Sequence, residues 1–297
     1  MTVKVQDVID TIIEELEVLD ESIKQGKPRS EWVMPFKLGS AFPKNYLTDT
    51  YYKGFNIFML YRIARAKGYT APSWGGWNQW VNNSKKIRFD QRKNGTQILV
   101  PIFKKKIADD GTETSKTFFT HKYVFNIEQT EGYDYNADMP KTESVSAEKF
   151  HTGLNKLKKE FRLEVKLGTC ASYHGNHIVE MPPQDNFVGT SLEKYNEYYS
   201  TLCHELIHWT GHSSRLDRKT IRDYSKSTDM RAQEELVAEI GSALMCNHLG
   251  YDVDIREDHT KYIHSWCKRL KDKPSSLVSA SAQASKAFEF LITEMGL

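Results

Sequence analysis

Apolar positions along the chain alternate between helical and strand spacing, and this sets the expected order of elements. Val5, Val8, Ile9, Ile12, Ile13, Leu16 and Leu19 recur at three- and four-residue intervals and predict an opening amphipathic helix. A Lys-, Gly-, Pro- and Ser-containing loop follows from Lys24 to Lys44, then a helix from about Asn56 to Lys67 with Gly68 as its stop. The segment holding Trp74, Trp77 and Trp80 reads as helical. Runs from Thr96 to Ile107 and from Thr117 to Ile127 read as strands, and Asp109-Asp110-Gly111 between them predicts a hairpin turn. Glu128 to Ser146 is polar and aperiodic, which marks a boundary. Beyond it the pattern predicts a helix at Ala147–Phe161, strands at Leu163–Leu167 and His177–Met181, and a helix at Leu192–Thr210. A basic loop at Arg215–Arg222 leads to a helix carrying Ala232, Leu236, Ile240, Ala243 and Leu244, and helices near Asp258–Leu270 and Ser275–Glu294 close the chain.

Both halves therefore mix helix and strand, and the fold class is α+β in two domains. The expected division is residues 1–130, a linker at 131–146 and residues 147–297. A length of 297 residues suits two domains, and 39% hydrophobic with 27% charged residues is ordinary for a soluble protein. No run approaches the ~18 apolar residues of a membrane span. Met1 to Asp20 lacks the basic start and apolar block of a signal peptide, so the expected location is the cytoplasm, without a membrane partner. Cys170, Cys203, Cys246 and Cys267 lack C-x-x-C spacing and read as reduced, mostly buried thiols.

The net charge of +2 hides an asymmetry: residues 22–106 hold 17 Lys and Arg against three acids, whereas residues 131–297 hold 21 against 25. A basic block is the footprint of a polyanion binder, although a solvated basic surface gives the same count. Aromatic residues interleave with these cations: Tyr51-Tyr52-Lys53, then Trp74, Trp77 and Trp80, then Lys85, Lys86, Arg88, Arg92 and Lys93, then Lys104 to Lys106. Cations along a strand with aromatic faces under its bases are how single-stranded nucleic acid is held. Single-stranded DNA is thus the expected partner, with at least one of the three Trp residues reserved for the core.

His204-Glu205-Leu206-Ile207-His208 spells H-E-x-x-H. On a helix, positions four apart share a face, so two imidazoles supply half of a tetrahedral site and Glu205 stands where it can take a proton from metal-bound water. Tyr198, Tyr199, Leu202, Leu206 and Ile207 give the segment an apolar stripe, and Gly211 ends it. A third ligand is needed. The extension to H-x-x-G-x-x-H fails because position 214 is serine, His212 follows the helix-ending Gly211, and Cys203 points about 100° from His204. On the following helix, Glu235 and Glu239 lie four apart, an arrangement that resembles the second helix of gluzincins. That resemblance assigns Glu235 to the metal and Glu239 to holding a histidine ligand from behind, with Glu234 pointing about 100° away from Glu235. Imidazole and carboxylate donors favour one Zn2+ and admit Mn2+, cobalt or iron. The resemblance to zincins, in which a strand before the metal helix lines the cleft, further implies that His177–Met181 accepts a peptide as an added strand and that Tyr173 or His174 polarises its carbonyl.

Taken together, Asn45-Tyr46-Leu47-Thr48 through Tyr52-Lys53-Gly54-Phe55-Asn56, Val124 through Gln129, His204 through His212 with Ser214-Arg215-Leu216, and Glu234 through Gly241 resemble the ArdC-type antirestriction proteins of plasmids and mobile elements. The likeness covers nearly the whole chain in order, with a departure at Asn83 to Thr96. It implies a single-stranded-DNA-binding domain followed by a gluzincin-type zincin-like metallopeptidase domain. It further implies protection of conjugatively transferred DNA from host restriction, with a restriction-system or other protein as a possible peptide substrate. A DNA-protecting protein with a non-proteolytic platform and a metalloprotease that binds no DNA are the alternatives the sequence leaves open.

Overall fold

The computed structural model describes residues 4–27, 42–107, 113–134, 145–251 and 260–297. The expected turn at Asp109-Asp110-Gly111, most of the Lys24–Lys44 loop, the centre of the linker and the side chains of Lys104 to Lys106 lie outside what is described. Among the described residues no helix is long and apolar enough to cross a membrane.

The chain divides into two compact units, Met1–Asp10 with Phe42–Lys141, and Thr11–Ala41 with Thr142–Leu297. The division after residue 141 falls inside the segment read as a linker. The opening helix α1 (Val5–Lys24), read as part of the first domain, is shared: its residues from Thr11 onward group with the second unit. Its stripe of Val8, Ile12, Leu16 and Leu19 is buried, as the spacing predicts.

In the first unit, β1 (Lys44–Asn45), α2 (Phe55–Lys67), β2 (Ser73–Gly76), α3 (Trp77–Asn82), β3 (Thr96–Ile107) and β4 (Glu113–Asn126) build a sheet of order β1-β2-β4-β3 with its helices. The predicted hairpin is present: β3 and β4 pair antiparallel from Thr96 opposite Val124 to Ile107 opposite Glu113. Helix α2 ends at Gly68, whose φ of 71° is the left-handed cap that glycine adopts without strain. The helix buries Phe55, Phe58, Met59 and Leu60. Its Asn56 side chain donates to the Leu99 carbonyl and accepts from the Leu99 amide, both at 2.8 Å, which satisfies backbone groups on the outer strand β3.

The tryptophan segment departs from the expected helix. Gly75-Gly76 interrupts it, so Trp74 lies on β2 and Trp77 opens α3. Trp80 is fully buried and its indole N–H donates to the Phe125 carbonyl at 3.2 Å. Its ring closes over Gly75, where a Cβ would stand 2.9 Å from it. Trp74 is 1% exposed and therefore belongs to the core, which corrects its assignment as a base-stacking residue.

The second unit holds α4 (Ala147–Glu160), β5 (Glu164–Leu167), β6 (Ser172–Tyr173), β7 (Ile178–Met181), α5 (Ser191–Thr210), α6 (Lys219–Arg222), α7 (Thr228–Leu249), α8 (Thr260–Asp272) and α9 (Ser275–Met295). The small sheet has the order β5-β7-β6. Since β7 is paired on both sides, it cannot receive a further strand; β6 is an edge, which moves the expected peptide-docking strand from His177–Met181 to Ser172–Tyr173. Thr190 and Glu193 form a capping box at the start of α5, and Gly211 caps its end.

Helix α7 is buried at every position from Ala232 to Gly241. A helix covered on all sides is normally apolar, yet this stretch contains Gln233, Glu234, Glu235 and Glu239. It approaches α5 closely at Gly241, where a Cβ would sit 2.7 Å from Ile207 Cδ1. Gly241→Ala is therefore expected to destabilise the protein by about 1–3 kcal/mol through overpacking, despite the better helix propensity of alanine. In a denaturant double-mutant cycle, Ile207→Ala should offset part of that loss; additive single effects would show that the two helices do not touch there.

Candidate metal centre and nucleic-acid face

One turn of α5 places His204 and His208 side by side, both buried, with Nε2 atoms 3.1 Å apart. Glu235 on α7 faces both: Oε2 lies 3.5 Å from His204 Nε2, and Oε1 lies 3.6 Å from His208 Nε2. Donor atoms bound at 2.0–2.2 Å around a tetrahedral ion stand about 3.3–3.6 Å apart. The imidazole separation and the distance of each Glu235 oxygen to its own imidazole lie within a few tenths of an ångström of that spacing, so these residues fit a divalent cation. His212 is turned elsewhere, its Nδ1 accepting from the Ser214 amide at 3.1 Å, and Cys203 is buried beside Cys246.

The carboxylate that holds His208 is Glu234, which corrects the expectation that Glu234 faces away from the site. Its Oε1 accepts from His208 Nδ1 at 3.2 Å. Glu234 is fully buried and is held by Arg218, through Nε at 3.1 Å and Nη2 at 2.6 Å, and by the Thr220 hydroxyl. Arg218 also donates to the Ile207 carbonyl and to Thr210 Oγ1 at 2.7 Å, so one guanidinium neutralises Glu234 and satisfies the last turn of α5. Glu239 faces His204 Nδ1 at 3.7 Å, an ion-pair separation longer than a hydrogen bond. The Tyr224 phenol donates to Glu235 Oε1 and its ring lies under Arg231, 5.2 Å from the guanidinium carbon.

Burial works against a charged His208, but the carboxylates of Glu235 and Glu234 outweigh it and push the imidazole up to about 10. Burial also opposes the charge on Glu235, and the two histidines overcome this and hold it well below the usual carboxylate range. Burial, reinforced by the neighbouring Glu235 charge, raises Tyr224, which keeps its proton and remains a donor.

Glu205 is 4% exposed and lines the same cleft, a cavity of 570 Å³. Tyr173 and His174, from the β6 side, and Tyr224 complete its wall. His174 Nε2 is engaged with Glu180 at 2.6 Å, and the Tyr173 hydroxyl stands 3.5 Å from Arg215. Sequence reading missed Glu234, Arg218 and Tyr224. The only available signal was the density of charged residues in a stretch otherwise suited to a buried helix.

In the first unit the structure gathers Trp77, Phe89 and Arg92. The Arg92 guanidinium lies 5.2 Å from the Phe89 ring centre and 5.9 Å from that of Trp77. Trp77 is 40% exposed and Phe89, which sequence reading did not single out, is 82% exposed. Lys86, Arg88 and Lys93 are exposed and Lys85 is partly covered. Tyr51 is exposed and packs edge-on against Phe42, and Lys53 is exposed. Tyr52 is partly covered: its hydroxyl accepts from Asn45 at 3.4 Å, and burial pushes it up to about 12.

Two family models match successive stretches of the chain. The family model for the N-terminal domain of anti-restriction factor ArdC matches residues 4–126. That for a zincin-like metallopeptidase matches residues 154–283. An uncharacterized protein of Sinorhizobium fredii is 29% identical over 88% of this chain and 85% of its own length. A DNA primase TraC of Escherichia coli is 28% identical over 93% of this chain, which spans only 26% of that relative. Crystal structures of a plasmid antirestriction protein ArdC, metal-free and Mn(II)-bound, superpose with TM-scores of 0.68 and 0.66 at 24% identity. The metal-free one covers 97% of this chain and 98% of its own, the Mn(II)-bound one 96% and 97%. At that identity the likeness establishes the fold.

Without metal His208 keeps its proton up to about pH 10, whereas a metal requires it neutral. Metal uptake at pH 7 should therefore release about one proton and tighten as pH rises, read by calorimetry in buffers of different ionisation heat. Glu234→Gln should weaken uptake about 10–100-fold. Uptake without proton release would contradict the charge assigned to His208.

Proposed function

The chain joins the N-terminal domain of the ArdC antirestriction family to a zincin-like metallopeptidase domain and so is of the ArdC type; on that footing we propose that it binds single-stranded DNA through its first unit and hydrolyses a peptide bond in the cleft of its second. The observation that carries the peptidase reading is the convergence of His204, His208, Glu235 and Glu205 on one cleft. A divalent cation held by the first three supplies Lewis-acid activation of water when bound, and zinc suits the donor set while manganese, cobalt or iron are also accommodated.

The residues of the chain divide the remaining work. Glu205 accepts the proton of the attacking water and returns it to the leaving amine. Tyr224, kept protonated, offers a phenolic donor at the cleft wall beside Glu235. The open edge of β6 receives the substrate backbone as an added strand. Glu234 and Arg218 hold His208 in the orientation in which Nε2 faces the cleft.

For the first unit, Trp77 and Phe89 offer faces to unstacked bases while Arg92, Lys86, Arg88 and Lys93 neutralise phosphates. The biological reading is protection of single-stranded DNA entering by conjugation, with a restriction-system protein as one class of peptide substrate. The setting is the cytoplasm.

Two experiments test the halves separately. Glu205→Gln should retain the metal and lose about 10²–10⁴-fold in peptide cleavage, measured on a peptide library after metal analysis. Full turnover by that variant would falsify the role of Glu205. Trp77→Ala should cost about 1–3 kcal/mol of oligothymidylate binding. Lys86, Arg88 and Lys93 changed to Ala should each flatten the plot of log affinity against log salt by about 0.7. A salt slope unchanged in all three would remove this face from the DNA contact.

A further inference from the structure

We infer that a second cavity in the metallopeptidase unit, separate from the catalytic cleft, binds a phosphoryl group. The cavity has a volume of 880 Å³ and lies between the segment carrying α6 and the corner joining α8 to α9. Its charge is one-sided. Among the described residues that line it, seven are Lys or Arg and one, Asp217, is an acid. Asp217 is taken by Arg222 at 3.0 Å, and Arg269 is held by Gln233 at 2.7 Å and by Asp229. Lys219, Lys273 and Lys286 are exposed at its rim; Lys219 lies in the field of Asp223, whose carboxylate is paired with Lys226 at 2.9 Å, and Lys273 and Lys286 form no ion pair among the described residues. Three exposed ammonium groups around one concavity concentrate anions.

The floor is built for an anion as well. The first turn of the 21-residue helix α9 supplies Ser275 and Ser276, so the positive end of its dipole meets the cavity. Ser276 is 2% exposed, and its hydroxyl is buried without a hydrogen-bond partner. A buried hydroxyl left unsatisfied is destabilising, and an acceptor oxygen from a ligand would relieve this. The backbone there is fixed, because the Ser276 carbonyl accepts from Gln233 Nε2 at 3.1 Å. Among the described residues no aromatic side chain lines the cavity, so the described wall lacks the stacking face that a base requires. The recognised unit is the phosphoryl group, whether free or carried in the backbone of a strand.

The probe is inorganic phosphate added to the full chain, compared with chloride at matched ionic strength. Phosphate is expected to raise the melting temperature and to broaden its own phosphorus resonance. The combined variant Lys219→Gln, Lys273→Gln, Lys286→Gln should remove both effects while melting normally in chloride. Should the combined variant fail to fold, the single variants Lys273→Gln and Lys286→Gln carry the test, each weakening phosphate binding several-fold. An undiminished phosphate effect in these variants overturns the assignment and places the anion elsewhere, the metal centre included. Displacement of phosphate by polyglutamate at equal charge also overturns it, because the cavity would then be a general acidic-peptide surface. An abasic deoxyribose-phosphate strand that competes assigns the group to a nucleic-acid backbone, and one that does not assigns it to a free ligand; either result upholds the site.

Discussion

The second unit depends on how buried charge is neutralised between α5 and α7. Two imidazoles from one helix meet Glu234, Glu235 and Glu239 from the other, all of them largely buried. Isolated ions there would be prohibitive, and a buried pair stabilises only when its remaining hydrogen-bonding capacity is satisfied. Arg218 meets that condition for Glu234, and Tyr224 contributes a neutral donor to Glu235. What remains is a set of donors with their charge facing inward, which is the electrostatic demand that a divalent cation fulfils. The close approach at Gly241 and Ile207 brings the two helices near enough for a side chain on one to share an ion with side chains on the other.

The same chemistry explains which parts of the site were legible in the sequence. The H-E-x-x-H spacing is a local rule of helix geometry, so His204 and His208 on one face with Glu205 beside them could be read directly. Placing Glu235 opposite them required a resemblance, because nothing local says which carboxylate of α7 meets α5. Glu234 shows why. A 100° step separates it from Glu235, and on a helix with one buried face that step would point it outward. Helix α7 is buried all round, so its outward direction is another part of the same interior, and Glu234 reaches the far side of His208. Amphipathic reasoning fails where a helix has no solvent face.

The first unit shows a different limit. Most of its elements followed from periodicity: α2 with its glycine cap, and β3 and β4 as a hairpin. The tryptophans did not, because a spacing of three implies a shared helical face only if the backbone is helical throughout. Gly75 and Gly76 break that condition, and the packing of Trp80 over Gly75 shows what the small residue is for. Trp74 and Trp80 become core while Trp77 stays at the surface. Phe89 belonged to no pattern at all. A single aromatic between charged residues carries no periodic signal, and only the fold reveals that it shares a guanidinium with Trp77.

Arg218 ties the two cavities of the second unit together. It lines the basic cavity, while its guanidinium contacts go to Glu234 and the end of α5. Arginine suits this position better than lysine: its planar fork reaches Glu234 through two nitrogens and still leaves donors for Ile207 and Thr210. Because those donors are committed, Arg218 contributes field to the basic cavity without being free to turn toward an anion there. The exposed rim lysines supply the adjustable contacts. A rigid buried cation behind flexible exposed ones allows an anion site to sit beside a metal centre without disturbing the orientation of His208.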